Sequence, residues 1–599
     1  MFSKIEWVGF ANLAKIFNMA SVRNLAFLSF LVGFLVVFSC KADKQSLTDN
    51  ILDIRLPKEP EKLNPIFFPN SLAREVCQNI FLPLADFDPV TLELVPVLIK
   101  DIPEAIEITT GVHKGGVRYD FVILEEAKWD DNKPITGYDY LFTLKAVMHP
   151  GTSASAFRSI ASKFSDIEVD SLNPKKVSVY FDQYFIIAKE AALNVEVLPK
   201  HIYDPSGILD KFKFSDFKNE QEAEKMATSD SSLVKFAKDV NGLRFTKEIV
   251  VGSGPYKLGE WKAGEYIVLE KKPNYWAKNK AGFSFQQHAD KIIMHIIPDE
   301  TAAFARLRNG ELDILSGVSS SNFEALKKDS SDGFNFQTPR LSKYYNIIIN
   351  HNNVILASLP VRKALAHLTN VNAFITNFEN GKAVRTIGPV NPDKKYYNKE
   401  IVPYTFDIDA AKKLLADDGW KDSDGDGILD KVINGKKTDF RISLIYSGDL
   451  GKNLSLQMQA DTKKAGIALD IEFKEFAQVR KENLETGKFD LVLNSSIQDV
   501  TNDDFSLRFH SENAELGEGN IGFYKNKDAD QLIDAINQEK NDAKRNELYK
   551  KFQVVVHQTL PYIFLYSPSE RILISNRWQG STNSKRPGYQ ANTFVATGK

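Results

Sequence analysis

Apolar residues recur at every second position in Phe440, Ile442, Leu444 and Tyr446, and again in Ile467, Leu469, Ile471 and Phe473. A period of two predicts two half-buried strands. Residues 453–465 between them carry a helical pattern, and Gly466 suits the position just past its end. Strand, helix and strand in this order imply a parallel pair joined by a right-handed crossover. A short helix over 479–484 leads past Gly487 to a further strand at 489–493, and Asp499 follows beyond its carboxyl end. A similar unit lies earlier: a strand at 292–297, a helix at 301–309 closed by Gly310, and a strand at 312–315. Residues 257–261 and 266–271 predict a hairpin turned at Ala263-Gly264. Asp407 caps a helix that runs to residue 418 and ends at Gly419. Ser358 caps another over 361–368, with Pro360 tolerated in its first turn. Thr136-Gly-Tyr-Asp139 is a capping box. No period of 20–50 residues recurs, which speaks against solenoids and propellers. The fold class is α/β, with two α/β units separated by strand-rich sequence, and so two lobes.

One apolar run has a different meaning. Residues 25–38 follow a single cation, Arg23, and end at Ser39 and Cys40. A bilayer-crossing helix needs about 20 apolar residues; this run has the length of a secretory h-region, with small Ser39 where a signal peptidase cuts. Val37-Phe38-Ser39-Cys40 resembles a bacterial lipobox. The resemblance implies cleavage before Cys40, lipidation of its thiol, and a mature chain held to a membrane on the extracytoplasmic side. Two or more acyl chains anchor stably where one does not. Met19 opens a more compact n-region than Met1 does.

Composition narrows the rest. Without residues 1–39 the chain keeps 560 of its 599 residues, a length that suggests about three domains at ~100–200 residues each. The formal net charge of −2 argues against a nucleic-acid surface. Of two cysteines, lipidation uses one, so Cys77 has no partner within the chain and no internal disulfide is expected.

Catalytic signatures are missing. There is no Gly-x-Ser-x-Gly elbow, no His-Glu-x-x-His helix and no Walker phosphate loop. The Asp-rich segment from Asp422 through Asp424 and Asp426 to Asp430 matches the first half of a calcium loop, but Ile433 stands where the bidentate glutamate belongs. It offers a weak calcium site or a cluster of Asx turns. No other cofactor is expected.

Several segments together carry a stronger signal. Leu94-Val-Pro-Val-Leu98 is followed by Ala127-Lys-Trp-Asp-Asp-Asn-Lys-Pro-Ile-Thr136, then by Gly252-Ser-Gly-Pro-Tyr256, Trp261 and Pro273-Asn-Tyr-Trp276. The series continues through 303–315, Val361-Arg-Lys-Ala-Leu365, 410–420 and the Asp-Gly-Asp-Gly turn to Leu560-Pro-Tyr-Ile-Phe-Leu-Tyr566. In order and spacing this resembles the dipeptide and oligopeptide-binding proteins of ABC importers, a large bacterial extracellular solute-binding family. Asn132 replaces a glycine usual in that family, and Asn tolerates positive φ better than most residues. Residues 203–250 are longer and more charged than the family pattern and read as a decoration on one lobe.

The resemblance implies a two-lobed periplasmic-binding-protein-like fold with an extra subdomain on the N-terminal lobe. Lobe I takes residues 51–85, 200–297 and 566–599, its subdomain 86–199, and lobe II 298–565, behind a signal peptide at 1–39 and a tether at 40–50. Two crossing strands act as hinges, near 297–300 and 562–566. The family position of the aspartate that pairs with a peptide α-amino group falls on Asp499, with Ser495, Ser496 and Ile497 before it. Sheet geometry agrees, because ligands of open α/β sheets sit beyond the carboxyl ends of strands. Phe157, Asn70, Ser71, Leu72 and Arg385 are further ligand candidates. The expected function is capture of di- or oligopeptides for an ABC permease by a monomeric, lipid-anchored receptor that is not an enzyme. The alternatives are the same fold binding a nickel chelate or an oligosaccharide, or a periplasmic enzyme with an unrecognised site.

Overall fold

The strand Ile51–Leu56, buried from Leu52 onward, runs through the middle of the first sheet. It pairs in parallel with Lys291–Ile296 on one side and with Ile314–Leu315 on the other. The helix Glu300–Arg308 carries the crossover between these two flanking strands, and the Asp299 side chain caps it by accepting the N–H of Ala302 at 2.7 Å. The predicted hairpin is present as Tyr256–Lys262 and Tyr266–Lys271, at one end of the same sheet. At the other end stand Ile572–Ser575 and Phe334–Gln337, an antiparallel pair. This computed structural model describes residues 50–67, 71–329, 333–498 and 500–598. The leader, Cys40, Asn70 and Asp499 therefore lie outside the described residues.

The second sheet has the order Ala468–Phe473, Arg441–Tyr446, Leu491–Ile497, Lys343–Ile349, Tyr562–Phe564. The two strands read from alternation are parallel partners, joined by the helix Gly448–Lys463, and Gly466 adopts φ +76° after it. Alternation decides the packing. Ile347, Ile442, Leu444 and Leu491 face one apolar cluster. Tyr344, Ile348, Ile445 and Val492 face another on the opposite side. A sheet buried on both faces needs such apolar neighbours in each strand.

A third, antiparallel sheet joins Ile106–Glu107, Val117–Val122, Lys176–Phe181 and Phe164–Val169. Its residues Phe121, Val179 and Phe181 share one continuous core with Leu52, Ile292 and Trp578 of the first lobe. The charged stretch after residue 203 forms two capped helices, Glu220–Ser229 and Ser231–Asn241. They dock on this subdomain, where Phe236 meets Phe142 edge-on at 6.1 Å.

Local signals explain the motifs. The Asp139 carboxylate accepts the Thr136 N–H at 2.9 Å, the reaching-back half of the capping box. Asn132 takes φ +65° in the turn after Trp129. Gly252 and Gly254 lie against the backbone that follows the helix Ser71–Cys77; a Cβ on Gly252 would stand 2.2 Å from the Ile80 carbonyl oxygen. Buried Lys272 ties two motifs together, bonding Asp130 at 2.7 Å and the Gly252 carbonyl at 2.7 Å. Ser358 holds the N-cap position of Leu359–Leu368, but its hydroxyl donates to Asp418 at 3.1 Å rather than accepting from the helix.

The boundary between the lobes differs from the sequence reading. Residues 298–337 were expected in lobe II, yet Ile314–Leu315 and Phe334–Gln337 belong to the first sheet. The sheets are joined at residues 338–342 and 568–571, not at 297–300 and 562–566, and Tyr562–Phe564 is an edge strand of the second sheet. Strands of two to four residues carry a local period but nothing that says which sheet they join.

Candidate functional site

The strand Leu491–Ile497 ends where the second lobe faces the first and its subdomain. Beyond it the Gln498 N–H bonds the Ser342 carbonyl at 2.9 Å, fastening this end of the sheet to one of the connections between the lobes. Three adjoining cavities open here. One of about 170 Å3 runs between Ile497, Gln498 and Val500 on the second lobe and Arg74, Phe157 and Glu196 on the first. A second of about 250 Å3 is walled by Leu144, Phe157, Ile160 and Phe164 of the first lobe, with Arg74, Glu190 and Glu196 also lining it and Val500 and Thr501 bounding it from the second lobe. A third of about 440 Å3 continues past Glu190 and Asn502 toward Lys540 and Arg545.

Three glutamines line the first cavity. Gln78 Nε2, Gln498 Oε1 and Gln590 Nε2 are buried and have no hydrogen-bond partner among the described residues. Two donors and one acceptor thus belong to residues around one cavity, and buried polar atoms of this kind need a partner. Glu196 is held by backbone pairing with the segment after the first helix, opposite Pro83. Burial pushes its carboxyl up to about 7; Arg74 and Lys585 pull against that and Asp86 adds to it. Lys585 itself bonds Asp86 at 2.6 Å. Glu190, 9% exposed, sits in the short helix Ala188–Leu193. Its Oε1 accepts from Asn502 of the other lobe at 2.9 Å, while Oε2 has no partner among the described residues. Its carboxyl is raised, chiefly by burial.

The sequence candidates divide. Phe157 and Ile497 meet across the smallest cavity, and Ile497 keeps 56% exposure, apolar surface offered to the cleft. Ser495 is exposed on the same strand, whereas Ser496 turns inward and its Oγ accepts from Asn346 at 3.0 Å. Ser71 and Leu72 open the first helix but line none of the three cavities. Arg385 is not brought to them either: its guanidinium is held in the second lobe by the Tyr404 carbonyl and Asn372. Asp499 and Asn70 lie outside the described residues. Asp503, four residues on, is engaged by Lys394 at 2.7 Å and by the Tyr396 hydroxyl at 2.9 Å.

Asp422, Asp424 and Asp426 bring carboxylate oxygens within 4.8 Å of one another on an exposed loop. Asp430 is turned away, accepting from the Ser423 N–H and hydroxyl, and Lys437 stands 2.5 Å from Asp424. Asp422 accepts from the N–H groups of Gly425 and Gly427, as in Asx turns.

Sequence reasoning missed Arg74, Glu190, Glu196 and the three glutamines. A signal existed for Glu196, a lone acid in the apolar run from Val195 to Leu198. Glu190 follows Ile186, Ile187 and Ala188 in the same way.

Comparisons with known proteins agree with this geometry. Residues 93–517 match the family described as bacterial extracellular solute-binding proteins, family 5 Middle. The oligopeptide-binding protein AppA of Bacillus subtilis is 26% identical over 472 residues, 78% of each chain. Its solved structure in complex with a nonapeptide superposes with a TM-score of 0.64 at 22% identity, covering 91% of this chain and 99% of that one. NikZ from Campylobacter jejuni, solved with Ni(L-His), gives 0.65 at 21% identity over the same shares. These likenesses show the two-lobed fold. With a family match that spans most of its length and a cleft built from both lobes, the chain belongs to the bacterial extracellular solute-binding proteins of family 5.

Proposed function

We propose that this protein captures peptides in the cleft between its lobes and delivers them, unchanged, to an ABC permease. One observation carries the reading: Gln78, Gln498 and Gln590, each with one amide atom that has no partner among the described residues, line a cavity that both lobes build. Main-chain N–H and C=O groups of an extended peptide supply the complementary acceptors and donor, and waters fill what side chains leave. The oligopeptide-binding relative named above supports the same class of guest. Asp499 remains the proposed partner of the peptide amino group. The lipobox-like Val37-Phe38-Ser39-Cys40 supports anchoring through Cys40 on the extracytoplasmic face, with the receptor acting as a monomer.

Native mass spectrometry of protein purified without refolding, followed by titration calorimetry with the peptides found, tests this. Peptides released intact, and rebinding with a stoichiometry of one, support it. A sugar or a metal chelate as the sole guest, or cleavage of bound peptide on incubation, rejects it.

A further inference from the structure

The cavity of about 250 Å3 has apolar walls, two carboxylates and one cation, Arg74, which acts on Glu196. Leu144 and Phe164 are almost fully buried in the subdomain core and Phe157 packs against it. Glu190 Oε2 is buried in this wall with no partner among the described residues. The cations that act on Glu190, unlike Arg74 beside Glu196, are committed elsewhere. Arg545 is held by the Glu539 carbonyl and Asp542, and Lys189 by Glu104 at 3.2 Å. A carboxylate left so in an apolar wall is costly, and a cation that reaches it recovers that cost.

We propose that this cavity seats a basic side chain of the guest, lysine or arginine, its methylene stem along Leu144, Phe157 and Ile160 and its cation between Glu190 Oε2 and Glu196. The assignment rests on the peptide reading above and adds the class of residue selected. Long basic side chains suit the shape because they lay an aliphatic stem on apolar surface and present the charge at its tip. The bond formed is charge-assisted, the stronger kind. The Asn502 amide on Glu190 Oε1 then couples occupancy to closure, since Asn502 comes from the opposite lobe.

The test uses the full chain and alanine-based pentapeptides carrying one lysine, arginine or norleucine at each position in turn, measured by calorimetry. At one position, lysine and arginine peptides bind about ten-fold or more tighter than the norleucine peptide of matching length and stem. In Glu190→Gln, checked for folding by thermal melting, that ratio collapses toward one. Norleucine binding as tightly as lysine at every position overturns the proposal while leaving peptide capture standing, and it needs only the unmodified protein. Failure of every peptide to bind overturns both readings.

Discussion

Arg340 and Ser569 stand opposite each other in an antiparallel bridge, where the two connections between the lobes run side by side. The Leu341 N–H bonds the Pro568 carbonyl at 2.9 Å, and the Glu570 N–H bonds the Pro339 carbonyl at 2.8 Å. Paired connections restrict the lobes to rotation about one line, the hinge closure common among binding proteins.

Leu341→Pro removes the first of these N–H groups. It is expected to cost about 1–3 kcal/mol of stability and to loosen closure. Small-angle scattering with and without guest checks this: the wild type contracts on binding, and the variant contracts less.

Gly252→Ala puts a Cβ 2.2 Å from the Ile80 carbonyl oxygen, a backbone atom with no room to yield. The expected loss is about 2–3 kcal/mol, read as a lower midpoint in denaturant with an unchanged slope. An unchanged midpoint means the Asn79–Phe81 turn moves freely, contrary to its hydrogen bonds with Gly254 and Tyr256.

Glu75 is buried beneath Tyr589, whose hydroxyl donates to it, and burial lifts its carboxyl to about 7. The folded state therefore holds this proton where the unfolded chain, near the ordinary 4.5, has released it. The stability tied to this group is complete below about pH 4.5 and is lost as pH rises through about 7. Glu75→Gln keeps an acceptor for Tyr589 without the charge. It is expected to stabilise the protein by roughly 2 kcal/mol at pH 8 and to leave thermal melting at pH 4.5 nearly unchanged.

Phe157 lines two of the three cavities. Phe157→Ala is expected to weaken peptide binding by about 1–3 kcal/mol while melting shifts little, because the ring is only partly buried in the core. Calorimetry and melting on the same samples separate the two effects.

Glu196, near 7 and facing Arg74, Asp86 and Lys585, also predicts a pH signature. A lysine-bearing guest needs the ionised form, so its affinity falls between pH 8 and pH 6, while a norleucine counterpart changes much less. Equal pH profiles for the two peptides count against Glu196 as the cation's partner.

Much of the architecture was legible in local pattern. Alternation at Phe440 to Tyr446 and Ile467 to Phe473 specified strands because each must bury one set of side chains per face. Asp407 was legible as a cap, and its carboxylate accepts the Ala410 N–H at 2.9 Å. The hinge was not, because Phe334–Gln337 and Lys343–Ile349 are consecutive strands of similar character in different sheets. Nor was the cavity lining: Glu190 and Asn502 are 312 residues apart and meet only across the cleft. The surroundings of Arg385 were not legible either, because a lone arginine in sequence gives no sign of the Tyr404 carbonyl that holds it.

Gln337 and Ile572, the last strand residue of the first sheet before the second lobe and the first after it, are direct partners. A two-residue turn spliced between them closes a hairpin and deletes the whole intervening lobe without breaking a strand of the first. The cleft is thus the product of one long excursion of the polypeptide, and the second lobe is a removable cassette on a scaffold that keeps its own core.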